Sequence, residues 1–247
     1  MAARRRTSVL FLVSMCSGLV LWPCTSASGS TFRATSKLTT SSRPRVNATA
    51  FSGHGELAFV SGGELYVLDG VTKTLRQVTE GSPPPSSPTF SHDGKWLAFV
   101  RFSPESNSGD ETLWIARGDG ADARRVAKVP PAYAVPNPGA PVFSWSLTSD
   151  ELLVTTGPVT GAPLVPRETW IVPASGRAHR LLGPGYVMGA AWSPNGREVA
   201  VIWTRHSFAD QVLETLSPSG GTPTAWLMTD GSTYYLAGWV SGFGILV

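Results

Sequence analysis

The chain is poor in cysteine and in charge. Of its 247 residues only two are cysteines, Cys16 and Cys24, and both lie within the first 27 residues. A chain processed after that segment has no disulfide, no thiolate nucleophile and no cysteine metal site. Charged residues make up only 15% of the sequence, against 26 glycines and 20 prolines. This composition favours many short strands joined by tight turns over a helical protein.

Recognisable catalytic motifs are also missing from the sequence. It has no Gly-x-Ser-x-Gly elbow, no His-Glu-x-x-His, no phosphate-binding glycine loop and no calcium loop. The four histidines, His54, His92, His179 and His206, are scattered rather than spaced as metal ligands. We therefore predict no catalytic residue, no cofactor and no metal, and expect a binding protein rather than a hydrolase.

The first 27 residues are typical of an export signal. Three arginines at positions 4–6 precede an uncharged, mostly apolar stretch from Val9 to Trp22, and small residues follow up to Ala27. This pattern predicts cleavage after Ala27, with no stable membrane span in the mature chain. Lipid attachment at Cys24 is an alternative, although the bulky Trp22 and Pro23 are unfavourable just before such a cleavage. The predicted location is the periplasm, the cell envelope or the extracellular space.

Removal of this signal neutralises the chain. The sequence contains 20 Lys and Arg against 17 Asp and Glu, and the three arginines of the signal account for the difference. A nucleic-acid partner requires a concentrated basic face, so this charge balance predicts none. The partner is expected to be an envelope protein or a small ligand. Residues 28–46 read as a Ser/Thr-rich linker with too few apolar groups to fold alone.

After the linker the chain repeats one pattern, in which an aromatic residue and usually a serine precede a short polar turn and an apolar strand. The anchor aromatics are spaced 39, 53, 49 and 47 residues apart, which is the period of propeller blades. Asp93-Gly94 and Asn195-Gly196 favour tight hairpin turns. The anchors of the five repeats are Phe51, Phe90, Phe143, Trp192 and Trp239.

Each repeat continues with an aromatic strand, a turn and a last strand, so that four strands form one blade. The sequence therefore predicts an all-β propeller over residues 47–247, with no helix. The blades are expected at about 47–81, 87–129, 140–185 and 187–231, followed by a partial blade at 235–247. A β-sandwich is the alternative fold, but it does not account for four aligned repeats.

The repeats resemble the WD40-like repeat of TolB-type propellers, in which an aromatic residue is followed by Ser-Pro-Asp-Gly and an apolar strand. Residues 192–196, Trp-Ser-Pro-Asn-Gly, nearly match that motif, and residues 90–94, Phe-Ser-His-Asp-Gly, come close to it. The resemblance is specific for the fold. It implies two functional settings, namely a periplasmic envelope component or the propeller half of a prolyl-oligopeptidase-like serine peptidase.

The leading hypothesis is a non-catalytic extracytoplasmic scaffold that binds a protein or a ligand. The alternatives are a peptidase propeller whose catalytic domain is missing from this chain, and a propeller hydrolase or lyase that uses channel residues. Loops that follow the apolar strands vary between repeats, and propellers place their sites on such loops. Four residues there are candidates for an anionic ligand or a partner: Arg101, Arg167, Arg205 and His206.

The fifth repeat contains only Trp239, a glycine turn and the start of its second strand. We therefore expect an incomplete ring, truncated from a longer propeller, whose uncovered blade faces promote self-association.

Overall fold

The computed structural model describes residues 43–102, 111–126, 143–156, 167–204, 210–228, 236, 238–240 and 244–246. These residues belong to one compact unit, Ser41–Val247. They form sixteen strands and no helix, so no described segment is a helix long and apolar enough to cross a membrane. The strands are β1 Glu56–Ser61, β2 Glu64–Asp69, β3 Thr74–Gln77, β4 Pro85–Phe90, β5 Trp96–Phe102, β6 Glu111–Arg117, β7 Arg124–Arg125, β8 Phe143–Trp145, β9 Glu151–Thr156, β10 Arg167–Pro173, β11 His179–Trp192, β12 Val199–Thr204, β13 Gln211–Leu216, β14 Thr224–Met228, β15 Gly238–Val240 and β16 Gly244–Leu246.

All strand pairs are antiparallel and follow chain order. Blade 1 is the three-stranded sheet β1-β2-β3, and blade 2 is the four-stranded sheet β4-β5-β6-β7. Blade 3 contains β8, β9, β10 and the first half of β11, whereas blade 4 contains the second half of β11 with β12, β13 and β14. Because the two halves of β11 pair in different blades, blades 3 and 4 merge into one seven-stranded sheet. A two-stranded sheet of β15 and β16 follows.

Neighbouring blades pack face to face, and the second strand of each blade is apolar on both faces. In β5, Leu97 and Phe99 join the cluster shared with blade 1, whereas Ala98 and Val100 join the cluster shared with blade 3. Similar clusters lie between blades 3 and 4 and between blade 4 and the last sheet. Each large side chain buried in this way contributes about 1.5–3 kcal/mol. Blades stacked through apolar faces confirm the predicted all-β propeller fold.

The turn that follows each anchor aromatic explains the recurring serine and Asx-Gly pair. The Ser91 hydroxyl accepts the Trp96 backbone N–H at 3.0 Å and donates to Asp93 Oδ1 at 2.8 Å. In blade 4, the Ser193 hydroxyl likewise accepts the Glu198 N–H at 2.9 Å and donates to Asn195 Oδ1 at 2.8 Å. The next residue, Gly94 or Gly196, has a φ of 73° or 66°, which glycine adopts without strain.

A row of indole hydrogen bonds corrects the register of the third repeat. Trp192 Nε1 donates to the Ser144 carbonyl at 3.1 Å, and Trp239 Nε1 donates to the Ala191 carbonyl at 3.1 Å. In the third repeat the equivalent donor is Trp145, which reaches the Thr89 carbonyl at 2.9 Å. We call these three residues the tryptophan ladder. The anchor of this repeat is therefore Trp145, and the sequence-based choice of Phe143 was wrong by two residues.

Candidate functional site

The turns at one end of the first three blades form a cleft of about 640 Å³. We call this cleft the turn cleft. Blade 1 provides Gly55 and Glu56, blade 2 provides two turns, and blade 3 provides Asp150. The lining from blade 2 consists of Asp93, Gly94, Lys95, Trp96, Arg117, Gly118 and Asp119. The cleft therefore spans three blades and presents charges of both signs.

Hydrogen bonds between the turns hold the frame of the turn cleft. Gly118 N–H donates to the Lys95 carbonyl at 2.7 Å, which joins the two turns of blade 2. Trp96 Nε1 donates to Asp150 Oδ2 at 3.1 Å, which ties blade 2 to blade 3. Because an indole has a single N–H, this bond orients the ring along the cleft wall. The cleft is thus preorganised by contacts within and between blades.

Asp93 and Lys95 form an ion pair on the rim of the cleft, with 2.5 Å between Asp93 Oδ2 and Lys95 Nζ. Hydrogen bonds from the Lys95 side chain, the Lys95 backbone and Ser91 lower the pKa of Asp93 to about 2. The same bond to Asp93 raises the pKa of Lys95, and the charge of Asp150 adds to this effect. The Asp93 carboxylate is already bonded within its turn, so it has less capacity for a ligand than a free carboxylate.

Glu56 differs from Asp93 because no described residue forms a hydrogen bond or an ion pair with its carboxylate. Partial burial and the nearby charges of Asp69 and Asp119 raise its pKa above the ordinary value. The Asp69 carboxylate is itself held by the Thr72 hydroxyl at 2.6 Å. A cation placed beside Glu56 would relieve this repulsion. The arrangement therefore favours a basic group at the blade 1 end of the turn cleft.

We predict that Glu56→Gln stabilises the chain at neutral pH. The folded pKa of Glu56 lies above the unfolded value of 4.5, so the ionised group opposes folding at higher pH. This effect disappears below pH 4, where the group is protonated in both states. The melting temperature by circular dichroism should rise at pH 7 and stay unchanged at pH 3. Glu80→Gln, which removes an exposed carboxylate outside the cleft, is the control. An equal rise at both pH values would contradict the prediction.

Arg101 lies outside the turn cleft, where it holds the connection between blades 1 and 2. Its Nε donates to the Pro83 carbonyl at 2.9 Å, and its Nη2 donates to the Gly81 carbonyl at 2.7 Å. The guanidinium also lies 5.5 Å from the ring centroid of Trp114. From the other side, Glu64 Oε1 accepts the Gly81 N–H at 2.8 Å. Glu64 of blade 1 and Arg101 of blade 2 therefore both bind the segment that connects the two blades.

We expect Arg101→Ala to lower the free energy of unfolding by about 1 kcal/mol, because the half-buried Pro83 carbonyl and the exposed Gly81 carbonyl lose a charged donor. Arg101→Lys should recover less than half of this loss, since an ammonium lacks the planar fork that reaches two carbonyls. Urea denaturation followed by tryptophan fluorescence measures both variants. Full recovery by lysine would show that charge alone matters at this position.

Of the other predicted site residues, only Arg167 lies within the described part of the chain. Arg167 lies in β10 of blade 3, whereas Arg101 lies in β5 of blade 2. Arg205 and His206 lie outside the described residues. The grouping of these four residues therefore stays a prediction.

Sequence reasoning missed the residues that line the turn cleft. Asp150 and Glu56 are not among the site residues predicted from the sequence. Asp150 directly precedes β9 and Glu56 is the first residue of β1, so both lie where a turn meets the second strand of a blade, which is the part of the repeat that varies in charge. A charged residue at the start of the second strand is the sequence signal that could have identified both residues. Within the described ranges, no group of three His, Cys, Asp or Glu residues could hold a metal ion.

The fold is shared with solved propeller structures at low sequence identity. Dipeptidyl peptidase 4 of Porphyromonas gingivalis matches 70% of this chain with a TM-score of 0.52 and 19% identity. The match covers 29% of the peptidase chain, so this chain spans less than a third of it. TolB from Acinetobacter baumannii matches 72% of this chain and 41% of its own, with a TM-score of 0.40 and 14% identity. No family model and no curated protein matches the sequence.

Proposed function

We propose that the chain is a non-catalytic scaffold of the cell envelope that binds a protein or a small ligand at the turn cleft. The observation that carries the proposal is the cleft itself, which is framed by bonds between blades and contains Glu56, whose carboxylate has no partner among the described residues. Groups held rigidly in this way bind a ligand at a low entropic cost. The charges of the lining favour a ligand that carries at least one basic group.

Calorimetric titration of the full chain with three capped pentapeptides tests the proposal. The peptides share a Gly-Ser backbone and carry Arg, Gln or Glu at the centre. We expect the Arg peptide to bind more tightly than the Gln peptide, with an affinity that falls as salt increases. The Glu peptide should show no binding.

Matched variants locate the site. Glu56→Gln and Asp150→Asn should each weaken the Arg peptide about threefold to tenfold, whereas Glu80→Gln removes one charge elsewhere and should leave binding unchanged. Equal affinity for all three peptides, or equal loss with Glu80→Gln, would reject the turn cleft as the binding site.

The proposed location of this activity is outside the cytoplasm. The arginines at positions 4–6 and the apolar stretch after them support export. Fractionation of an exporting host, followed by mass spectrometry of the N-terminus, should find a mature chain that begins at Ser28. An intact Met1 terminus in the cytoplasmic fraction would reject export, and a diacylglyceryl group on Cys24 would identify a lipoprotein.

The second candidate is the propeller portion of a longer serine peptidase. The fold similarity to a dipeptidyl peptidase supports it, as does the fact that this chain spans 29% of that enzyme. The transcript beyond the codon for Val247 separates the two candidates. An in-frame Gly-x-Ser-x-Gly motif there would favour the peptidase, and a stop codon would favour the scaffold.

A further inference from the structure

Among the described residues, blade 1 has no counterpart of the first strand found in blades 2, 3 and 4. In those blades β4, β8 and the second half of β11 pair with the second strand, β5, β9 or β12. In blade 1 the second strand is β1, and within the described part of the chain it pairs only with β2. No described strand therefore pairs with the other long side of β1, which we call its open side.

The segment of blade 1 that corresponds to the first strand of the other blades forms turns instead of a strand. By alignment of the repeats, the missing strand would end at Phe51, as β4 ends at Phe90. Instead, residues around Phe51 form turns, in which Phe51 N–H donates to the Asn47 carbonyl at 3.2 Å and Ser52 N–H donates to the Thr49 carbonyl at 3.2 Å. This segment is not a strand of the blade 1 sheet.

Two apolar side chains of β1, one on each face of the sheet, are more exposed than their counterparts in other blades. Leu57 and Val60 are 43% and 42% exposed. Their counterparts in blade 2, Leu97 and Val100, are 0% and 1% exposed. The same positions in blade 4 are buried as well, which identifies the exposure as a property of blade 1 and not of the repeat.

The backbone of β1 presents hydrogen-bonding groups to the open side. Leu65, which lies opposite Val60, donates its N–H to Thr79 Oγ1 at 2.9 Å, and its carbonyl accepts the Val78 N–H at 2.8 Å. Both bonds point away from β1, so Val60 and Leu65 form a non-hydrogen-bonded pair. The N–H and carbonyl groups of Val60, and of Ala58 two residues earlier, therefore point toward the open side.

β1 carries fewer features that discourage pairing than β4 or β8, and its one charged residue, Glu56, is at its start. β4 contains Pro85, Pro88 and a register shift, and β8 is only three residues long. β1 has six residues in regular register, without proline, lysine or bulge. Proteins normally protect a free edge with such features. β1 therefore keeps a backbone edge with which another strand can form hydrogen bonds.

We propose that β1 accepts an extended, uncharged segment of a partner polypeptide as its missing strand, with a basic residue at the C-terminal end of that segment beside Glu56. The first strands of the other blades define the chemistry of the segment, because β4, β8 and residues 187–192 of β11 contain no charged residue. Strand addition is a common mode of peptide binding. This inference rests on the proposed binding role and names its ligand.

The direction of the added strand follows from the fold. First strands run antiparallel to second strands in blades 2, 3 and 4, so the C-terminal end of the segment meets Glu56, the first residue of β1. Glu56 also lines the turn cleft, where the charges of Asp69 and Asp119 disfavour its ionisation. A lysine or arginine at the end of the segment would lie at this cleft.

Fluorescence anisotropy with the full chain tests the proposal. The probe is a labelled, capped peptide with the sequence of residues 187–192, Val-Met-Gly-Ala-Ala-Trp, followed by arginine. We expect saturable binding that weakens at least tenfold when the arginine is replaced by glutamate. Two further peptides carry N-methyl groups on alternate amides. Only one of these two sets should abolish binding, because a strand uses every second amide toward its neighbour.

A matched pair of variants identifies the edge. Val60→Ala keeps the backbone N–H and should bind the probe within threefold of the original chain, whereas Val60→Pro removes that N–H and should lose binding. If Val60→Pro does not fold, the N-methylated peptides still decide the question with the unmodified chain. Equal tolerance of both methylated sets would overturn strand addition.

Hydrogen exchange of the backbone amides shows whether the open side of β1 is free before the probe is added. In the free chain the Ala58 and Val60 amides should exchange quickly and become protected when the probe binds. Protection of both amides before the probe is added would mean that the edge is already filled, which overturns the proposal. Charge-dependent binding of the Gly-Ser pentapeptides without strand addition would leave the proposed function intact, so the two failures are distinguishable.

Discussion

Replacement of Phe99 by alanine should lower the free energy of unfolding by about 4 kcal/mol. Phe99 is completely buried in the core between blades 1 and 2, and its ring stacks on Trp114 with centroids 6.2 Å apart. Removal of the ring leaves a cavity that the surrounding strands of two sheets cannot easily fill. Urea denaturation followed by tryptophan fluorescence measures the loss.

Val71→Ala is the control for this prediction, because Val71 is 77% exposed and its truncation should change stability by less than 0.5 kcal/mol. A loss below 1 kcal/mol for Phe99→Ala would mean that the interface between blades 1 and 2 is not a close-packed core.

Gly118→Ala should destabilise the chain by about 3 kcal/mol, because its methyl group has no room. A Cβ at this position would overlap the Gly94 carbonyl oxygen and approach Glu56 Oε2 to 3.0 Å. The obstructing atom is backbone, so the two turns of blade 2 would have to separate and the bond from Gly118 N–H to the Lys95 carbonyl would be lost. The turn cleft would change shape as well.

Gly183→Ala provides the matched control, since no atom lies within 4 Å of its Cβ position. Both variants are compared by thermal unfolding, and the binding of the Arg pentapeptide is measured for each. Equal melting temperatures would show that the turns of blade 2 are not in the close contact described above.

Local signals in the sequence predicted most of the fold. The turn glycines Gly94 and Gly196 and the apolar strands after them depend only on neighbouring residues, so the repeat and its blades could be recognised. The third repeat was misplaced because residues 147–150 contain no Asx-Gly pair, and Phe143 and Trp145 are both aromatic. The tryptophan ladder that distinguishes them joins residues 48 to 56 positions apart.

The candidate site was harder to predict because it depends on contacts between blades. Arg101 was interpreted as a loop residue available to a ligand, although its donors are bonded to backbone carbonyls of the preceding connection. The open side of β1 could not be foreseen either. The repeat pattern predicts four strands in every blade, whereas blade 1 has three described strands and residues 47–52 form turns.

The fourteen-residue β11 has a consequence for how the molecule comes apart. Its first half pairs with β10 and its second half pairs with β12, so one unbroken backbone belongs to two hydrogen-bonded ladders. If the ladder with one neighbour breaks, β11 is still paired with the other neighbour. The core between blades 3 and 4 is exposed at the same time. Under a pulling force or in mild denaturant, blades 3 and 4 should therefore rupture as a single cooperative unit. Blade 2 shares no strand with blade 3 and is joined to it through a packed core and side-chain hydrogen bonds instead.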